Sequence, residues 1–333
     1  MIDTIRFSGY DLRTRFLPDQ IKAFSTIYPK SENAREIAAL AMVQKHKNYR
    51  IMFDAGSERY HIELNLHKLL YTYNIYNYEK NPVLLKALID KIVRYFFNTV
   101  NDTFISRIDI GGVVDYNSMD NAKKVLEEYR TVKPEGVRYL KHKNQNYESS
   151  IFYSSDNYSI KIYNKGAELR RLNGQIQNKV NKGKMPLSEL IPDEILNYSD
   201  QLLRFEKTYR ADELKKIGLN KQPYYGVPVQ YFNLDKVFTD FYTTFNNWER
   251  HRKPYQTDKK GMLGLLSVLE NLGQFDNVAG SGIVSRATIH RYKKEKREAN
   301  TEFLLDFKNN LPKNLQNRLI NANLCGINFL FQN

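Results

Sequence analysis

The sequence predicts an α+β fold with a smaller helical region at its C-terminal end, and three observations predict it. Short alternating or β-branched runs of strand length recur through the first two thirds of the chain. Segments of helical periodicity lie between them. From about Gly218 the strands cease, KQPYYGVP reads as a turn-rich linker, and helical segments follow. The expected division is a larger unit over 1–220 and a helical one over 221–333.

In chain order, IDTIRF, YRIMF, YHIELNL, FISRIDIGGV, SSIFY, YSIKIY and LLRFEKTYR read as strands. Helical spacing marks Pro82 to Asn98, Ser118 to Arg130 and the region around Ala167 to Val180. Asn173 to Pro192 carries Lys179, Lys182 and Lys184 among glycines and a proline, and reads as a helix end followed by a basic loop. Farther on, LDKVFTDFYTTFNNWERHRK, KGMLGLLSVLENLG and ATIHRYKKEKRE read as helices.

Composition narrows the function. Lysine and arginine number 51 against 37 acidic residues, a net charge of +14 that favours a polyanionic partner such as nucleic acid, although basic solubilising faces give the same total. One cysteine, Cys325, excludes an intrachain disulfide and a multi-cysteine zinc site. No apolar run of membrane-spanning length occurs and MIDTIRFSGYDL lacks the features of a secretory signal, so a soluble, cytoplasmic protein is expected. No GxGxxG or GxxxxGK[ST] run is present, which argues against nucleotide hydrolysis.

Alternation isolates the candidate chemistry. YHIELNL places His61, Glu63, Asn65 and His67 opposite Ile62, Leu64 and Leu66. FISRIDI separates Arg107 and Asp109 from Ile108 and Ile110, and LLRFEKT separates Arg204, Glu206 and Thr208 from Leu203 and Phe205. Mid-strand carboxylates are disfavoured and costly to desolvate, so Glu63, Asp109 and Glu206 call for compensation. A shared Mg²⁺ or Mn²⁺ held by oxygen ligands supplies it. Arginines on the same faces, Arg107 for Asp109 and Arg204 for Glu206, supply it equally well, and alternation alone does not choose. YSIKIYNKG sets Ser159, Lys161 and Tyr163 on a polar face at a strand end beside Lys165. A phenol is a poor nucleophile at its ordinary pKa near 10, and neighbouring ammonium groups or a metal-polarised phosphate would assist it.

Taken in order, MID, HIELNLHKLL, ISRIDI with NAKKVLEEYR, QNYESSIFY, SIKIYNKGAEL and LLRFEKTYRADELKKIGL resemble the gene II/X family of filamentous-phage replication initiators, and more distantly the initiators of staphylococcal rolling-circle plasmids. The resemblance implies an HUH-endonuclease-like fold, whose antiparallel sheet presents a metal and a tyrosine to single-stranded origin DNA. It places the nucleophile at Tyr163 and the metal-binding acids at Glu63, Asp109 and Glu206. It further implies a 5′-phosphotyrosyl intermediate, with Lys165 and Lys161 balancing charge on phosphorus and Arg107 and Arg204 orienting the acids or holding the DNA backbone. Host helicase and polymerase are the expected partners. A non-catalytic DNA-binding modulator and a mobilisation relaxase are the alternatives. In VSRATIHRYKKEKRE a helix starting near Ser285 carries Arg286, Arg291, Lys293 and Lys294, which suits either a recognition helix on duplex DNA or an amphipathic helix with a solvated basic face.

Overall fold

The computed structural model describes residues 2–16, 40–45, 49–54, 57–66, 82–131, 148–217, 226–252, 265–266, 275 and 284–299. Among the described residues, nine strands form one sheet: β1 (Ile2–Gly9), β2 (Leu40–Lys45), β3 (Tyr49–Asp54), β4 (Arg59–Asn65), β5 (Phe104–Asp115), β6 (Ser150–Ser154), β7 (Tyr158–Asn164), β8 (Leu202–Arg210) and β9 (Val227–Pro228). Their order is β2-β3-β4-β1-β5-β8-β7-β6, with β9 paired to the end of β5, and every pairing is antiparallel. All seven expected strands are present; β2 and the two-residue β9 are additions.

One face is the hydrophobic core. Ile5, Phe7, Ile62, Leu64, Ile108, Ile110, Ile160, Ile162, Leu203 and Phe205 alternate onto it and are buried. Three helices cover it: α1 (Pro82–Phe96), α2 (Met119–Thr131) and a later helix over Leu234–Arg252. That later helix, read from sequence as the start of the helical region, sends Val237, Phe238, Phe241, Phe245 and Trp248 into the same core as the sheet. Its pairing with α2 includes a buried hydrogen bond from Tyr129 to Glu249.

On the opposite face, α3 (Lys165–Asn181) and α4 (Asp193–Ser199) pack Leu169, Ile195 and Leu196 against Val113 and Leu202, covering one end of it. The short α5 (Ala211–Lys216) follows β8 directly. With these numbered, the core-covering helix over Leu234–Arg252 is α6, and α7 is Arg286–Ala299. Tyr292 of α7 joins Leu266, Phe275 and Val284 in a small separate cluster, so a C-terminal helical region with its own apolar contacts does exist. Most of KGMLGLLSVLENLG, together with His67 and Cys325, lies outside the described residues.

Candidate active site

The face bearing the predicted residues can be read row by row from the strand register. Lys161 stands opposite Glu206, which stands opposite Gly111; Tyr163 stands opposite Arg204, which stands opposite Val113. Asp109 pairs with Thr208, one pleat from Glu206, and Glu63 pairs with Arg6 of β1. Alternation therefore brings Glu63, Asp109, Glu206, Lys161, Tyr163, Arg107 and Arg204 to one face.

Tyr163 is the penultimate residue of β7, and the chain turns into α3 immediately after it. Asn164 fixes the turn: its side-chain oxygen accepts from Ala167 N–H, capping α3, while its amide donates to Asp200 O at 2.7 Å. Gly166 allows the close approach, because a Cβ there would stand 2.6 Å from the Asp200 Cα. The half-buried Tyr163 ring is thus held at a rigid strand–helix corner. Its hydroxyl donates to Glu206 Oε1 at 2.7 Å.

Glu206 is itself oriented. Arg204 Nε donates to the same oxygen at 2.8 Å, and Arg204 Nη2 donates to Asp3 Oδ2. Arg204 is fully buried between the two carboxylates, and its guanidinium fits only because residue 111 is glycine: a Cβ there would lie 2.5 Å from Arg204 Nη2 and 2.6 Å from Asp3 Oδ2. Burial alone would raise the Glu206 pKa, but Arg204, Lys161 and the Tyr163 hydroxyl outweigh it and hold the carboxyl well below its usual range. Burial raises the Asp3 pKa, with Arg204 opposing. The Tyr163 phenol is pushed well above its usual value, first by burial and then by the Glu206 charge, so at rest it is protonated.

Asp3 is the residue that alternation missed. A regular IDTIRF strand puts it on the core side with Ile5 and Phe7, but a register shift between Ile2 and Thr4 turns it to the polar face. Its Oδ1 is buried with no hydrogen-bond partner among the described residues.

The lysines occupy two environments. Lys161 is exposed, with its ammonium 5.7 Å from the Phe152 ring centroid. Lys165 is fully buried beneath Tyr163, 5.8 Å from that ring's centroid, and pairs with Glu168. Burial lowers its pKa and Glu168 partly restores it.

The three predicted acids share a face but do not converge. Arg107 grips both oxygens of Asp109 at 2.9 and 2.7 Å, and Arg6 and Arg50 hold both oxygens of Glu63. The arginine pairing within β5 and within β8 that the sequence allowed is the arrangement present. Among the described residues no three or more His, Cys, Asp or Glu side chains gather into a metal-binding group. As arranged, Glu63, Asp109 and Glu206 do not fit a three-carboxylate cation site, and a cation at Asp109 would have to displace Arg107.

Helix α7 begins where expected. The Ser285 hydroxyl accepts from Thr288 N–H at 3.1 Å, Arg286, Arg291 and Lys294 are exposed, and Lys293 is half-buried. No described helix is long and apolar enough to cross a membrane.

Comparison with protein families matches residues 45–226, more than half of the chain, to the N-terminal family of the phage gene II replication-associated protein. The chain belongs to that family. The gene II match links it to phage rolling-circle replication initiators and contains β3 to β8, hence Tyr163, Glu206, Asp109 and Glu63. Strand β1 lies outside the matched residues, yet it sits between β4 and β5 and supplies Asp3 and Arg6. No curated protein matches the chain, and no solved structure does.

Proposed function

We propose that the protein is an HUH-type rolling-circle replication initiator that nicks one strand of its origin with Tyr163 as nucleophile. The carrying observation is the 2.7 Å hydrogen bond from the Tyr163 hydroxyl to a carboxylate that is itself fixed by Arg204. A nucleophile, a base within reach and a third group orienting the base is the pattern that nucleophilic catalysis requires.

In the reaction, Tyr163 Oη attacks phosphorus, and its proton, which becomes strongly acidic only as the O–P bond forms, passes in the same step to Glu206, a weak base at rest. The bond from phosphorus to the 3′-oxygen breaks, that oxygen takes a proton from solvent, and a 5′-phosphotyrosyl ester remains. The liberated 3′-hydroxyl primes synthesis by a host polymerase behind a host helicase. Because the ester conserves the bond energy, a later 3′-hydroxyl can attack it and close the strand. Exposed Lys161 stands beside Glu206 and would hold the phosphate, whereas buried Lys165 supplies positive potential beneath the ring. The fold family implies Mg²⁺ or Mn²⁺, whereas Glu63, Asp109 and Glu206 are each engaged by arginines.

The basic α7 would bind origin duplex in the helical unit after residue 220, in the cytoplasm of a bacterial host. The test incubates the protein and Mn²⁺ with labelled single-stranded candidate origins and resolves the products on a denaturing gel. A nicked strand with a covalent protein adduct is expected. Binding without any adduct across all candidates would leave a DNA-binding modulator in place of an enzyme; a relaxase would show the same adduct on a transfer origin.

A further inference from the structure

A row of arginines crosses the sheet perpendicular to its strands, away from Tyr163. The register sets Arg50 opposite Glu63, Glu63 opposite Arg6, Arg6 opposite Arg107 and Arg107 opposite Arg210, through β3, β4, β1, β5 and β8. Four adjacent gaps at ordinary strand spacing make the row about 19 Å long.

Its charges are layered. The Glu63 and Asp109 side chains are only 12% and 15% exposed, while Arg6, Arg107 and Arg50 above them are 24%, 32% and 42% exposed. Glu63 accepts from two arginines, so the row holds more cations than its carboxylates neutralise. Arg210 closes the end of the row by donating to Ser155 O and Asp156 O of the β6–β7 turn. Like charges directly opposite across strands are destabilising, and Arg6 against Arg107 against Arg210 is such a series. A fold that maintains it, with carboxylates beneath to fix the guanidiniums, has the form of an anion site.

We propose that this row is a track for the phosphodiester backbone of single-stranded DNA, leading the strand to Tyr163. The inference rests on the nicking function above and deepens it. The row is one residue wide, and the next row toward the tyrosine is Asn65, Thr4, Asp109, Thr208 and Ser159, which adds no further cation. One line of guanidiniums suits one backbone, not the two rails of a duplex. From Arg210 to Glu206 is four residues of β8, about 13 Å at strand rise, so phosphates on the row and the phosphate at Tyr163 belong to one strand a few nucleotides apart. Single-strand-binding OB folds cover ~4–16 nucleotides, and a footprint of that order would accommodate both.

The test measures binding of a fluorescent oligothymidylate by the full chain carrying Tyr163→Phe, as a function of salt. Each phosphate contact on a single strand contributes about 0.7 to the slope of log K against log salt. Arg50→Gln and Arg107→Gln should each reduce the slope by about 0.7, while Lys86→Gln, on a helix of the opposite face, should leave it unchanged. Arg50 is the most exposed of the three and leaves Arg6 paired to Glu63, and thermal melting confirms that each variant is folded. Unchanged slopes in Arg50→Gln and Arg107→Gln would show that the row only pairs the acids and would overturn the proposal. Equally fatal would be loss of duplex binding alone, with oligothymidylate unaffected. Adduct formation by the unmodified chain is scored separately, so failure of the track and failure of the nicking reading give different results.

Discussion

Tyr163 and Glu206, on adjacent strands and two residues out of register, are joined by a 2.7 Å hydrogen bond in which the phenol donates. This contact makes Glu206 a proton acceptor for the nucleophile. Glu206→Gln keeps an oxygen that can accept from the phenol but removes the basic charge. It should lower the rate of adduct formation by about 10²- to 10⁴-fold, the usual contribution of general-base catalysis, with little change in DNA affinity. Single-turnover kinetics on labelled origin strand would measure it; an undiminished rate would remove Glu206 from the proton path.

Gly111 is where the support of that carboxylate can be tested. An alanine methyl would occupy the space shared by Arg204 and Asp3, at 2.5 and 2.6 Å from their nearest atoms. Gly111→Ala should destabilise the fold by about 1–3 kcal/mol, as overpacking does, and slow adduct formation at temperatures where the chain is still folded. Chemical denaturation and kinetics on the same preparation separate the two effects.

His61 predicts a pH dependence. Burial, with Arg6 adding to it, lowers its pKa to about 4 from an ordinary 6.5. The native state therefore binds fewer protons than the unfolded chain between those values. The stability contributed by a neutral His61 is complete above pH 6.5 and is lost as pH falls toward 4, with a limiting slope of about 1.4 kcal/mol per pH unit. His61→Gln should flatten the stability profile in that window. Glu63, whose pKa is lowered from 4.5 because Arg6 and Arg50 outweigh its burial, acts below it.

The exposed cations of α7 carry the duplex reading. Arg286→Gln and Arg291→Gln should each reduce the salt slope for origin duplex by about 0.9 and leave the slope for oligothymidylate unchanged. Fluorescence anisotropy with both probes checks this, and equal losses on both would make α7 part of the single-strand path.

Much of this was legible in the sequence because the code is local. Ile62 and Leu64 against Glu63, Ile108 and Ile110 against Asp109, and Leu203 and Phe205 against Glu206 announce both a strand and the face each acid occupies. The pairs Arg107–Asp109 and Arg204–Glu206 lie two residues apart on single strands and were readable as one of two possibilities. What could not be read depends on which strands are neighbours. Arg6 and Arg50 meet Glu63 only because β1 and β3 flank β4. Asp3 reaches Arg204 through a register shift that overrides alternation, and LAMVQK, apolar over its first four residues, lacked the alternation that would have marked β2. Likewise α6 shows ordinary amphipathic spacing, and only the tertiary structure places Phe241, Phe245 and Trp248 in the core of the sheet.

The decisive measurement is the site of covalent attachment. Digestion of the protein–DNA adduct and mass spectrometry of the nucleotide-bearing peptide should locate the phosphate on Tyr163, and Tyr163→Phe should yield no adduct. A phosphotyrosine found on another of the 24 tyrosines, or an adduct that persists in Tyr163→Phe, would contradict the mechanism.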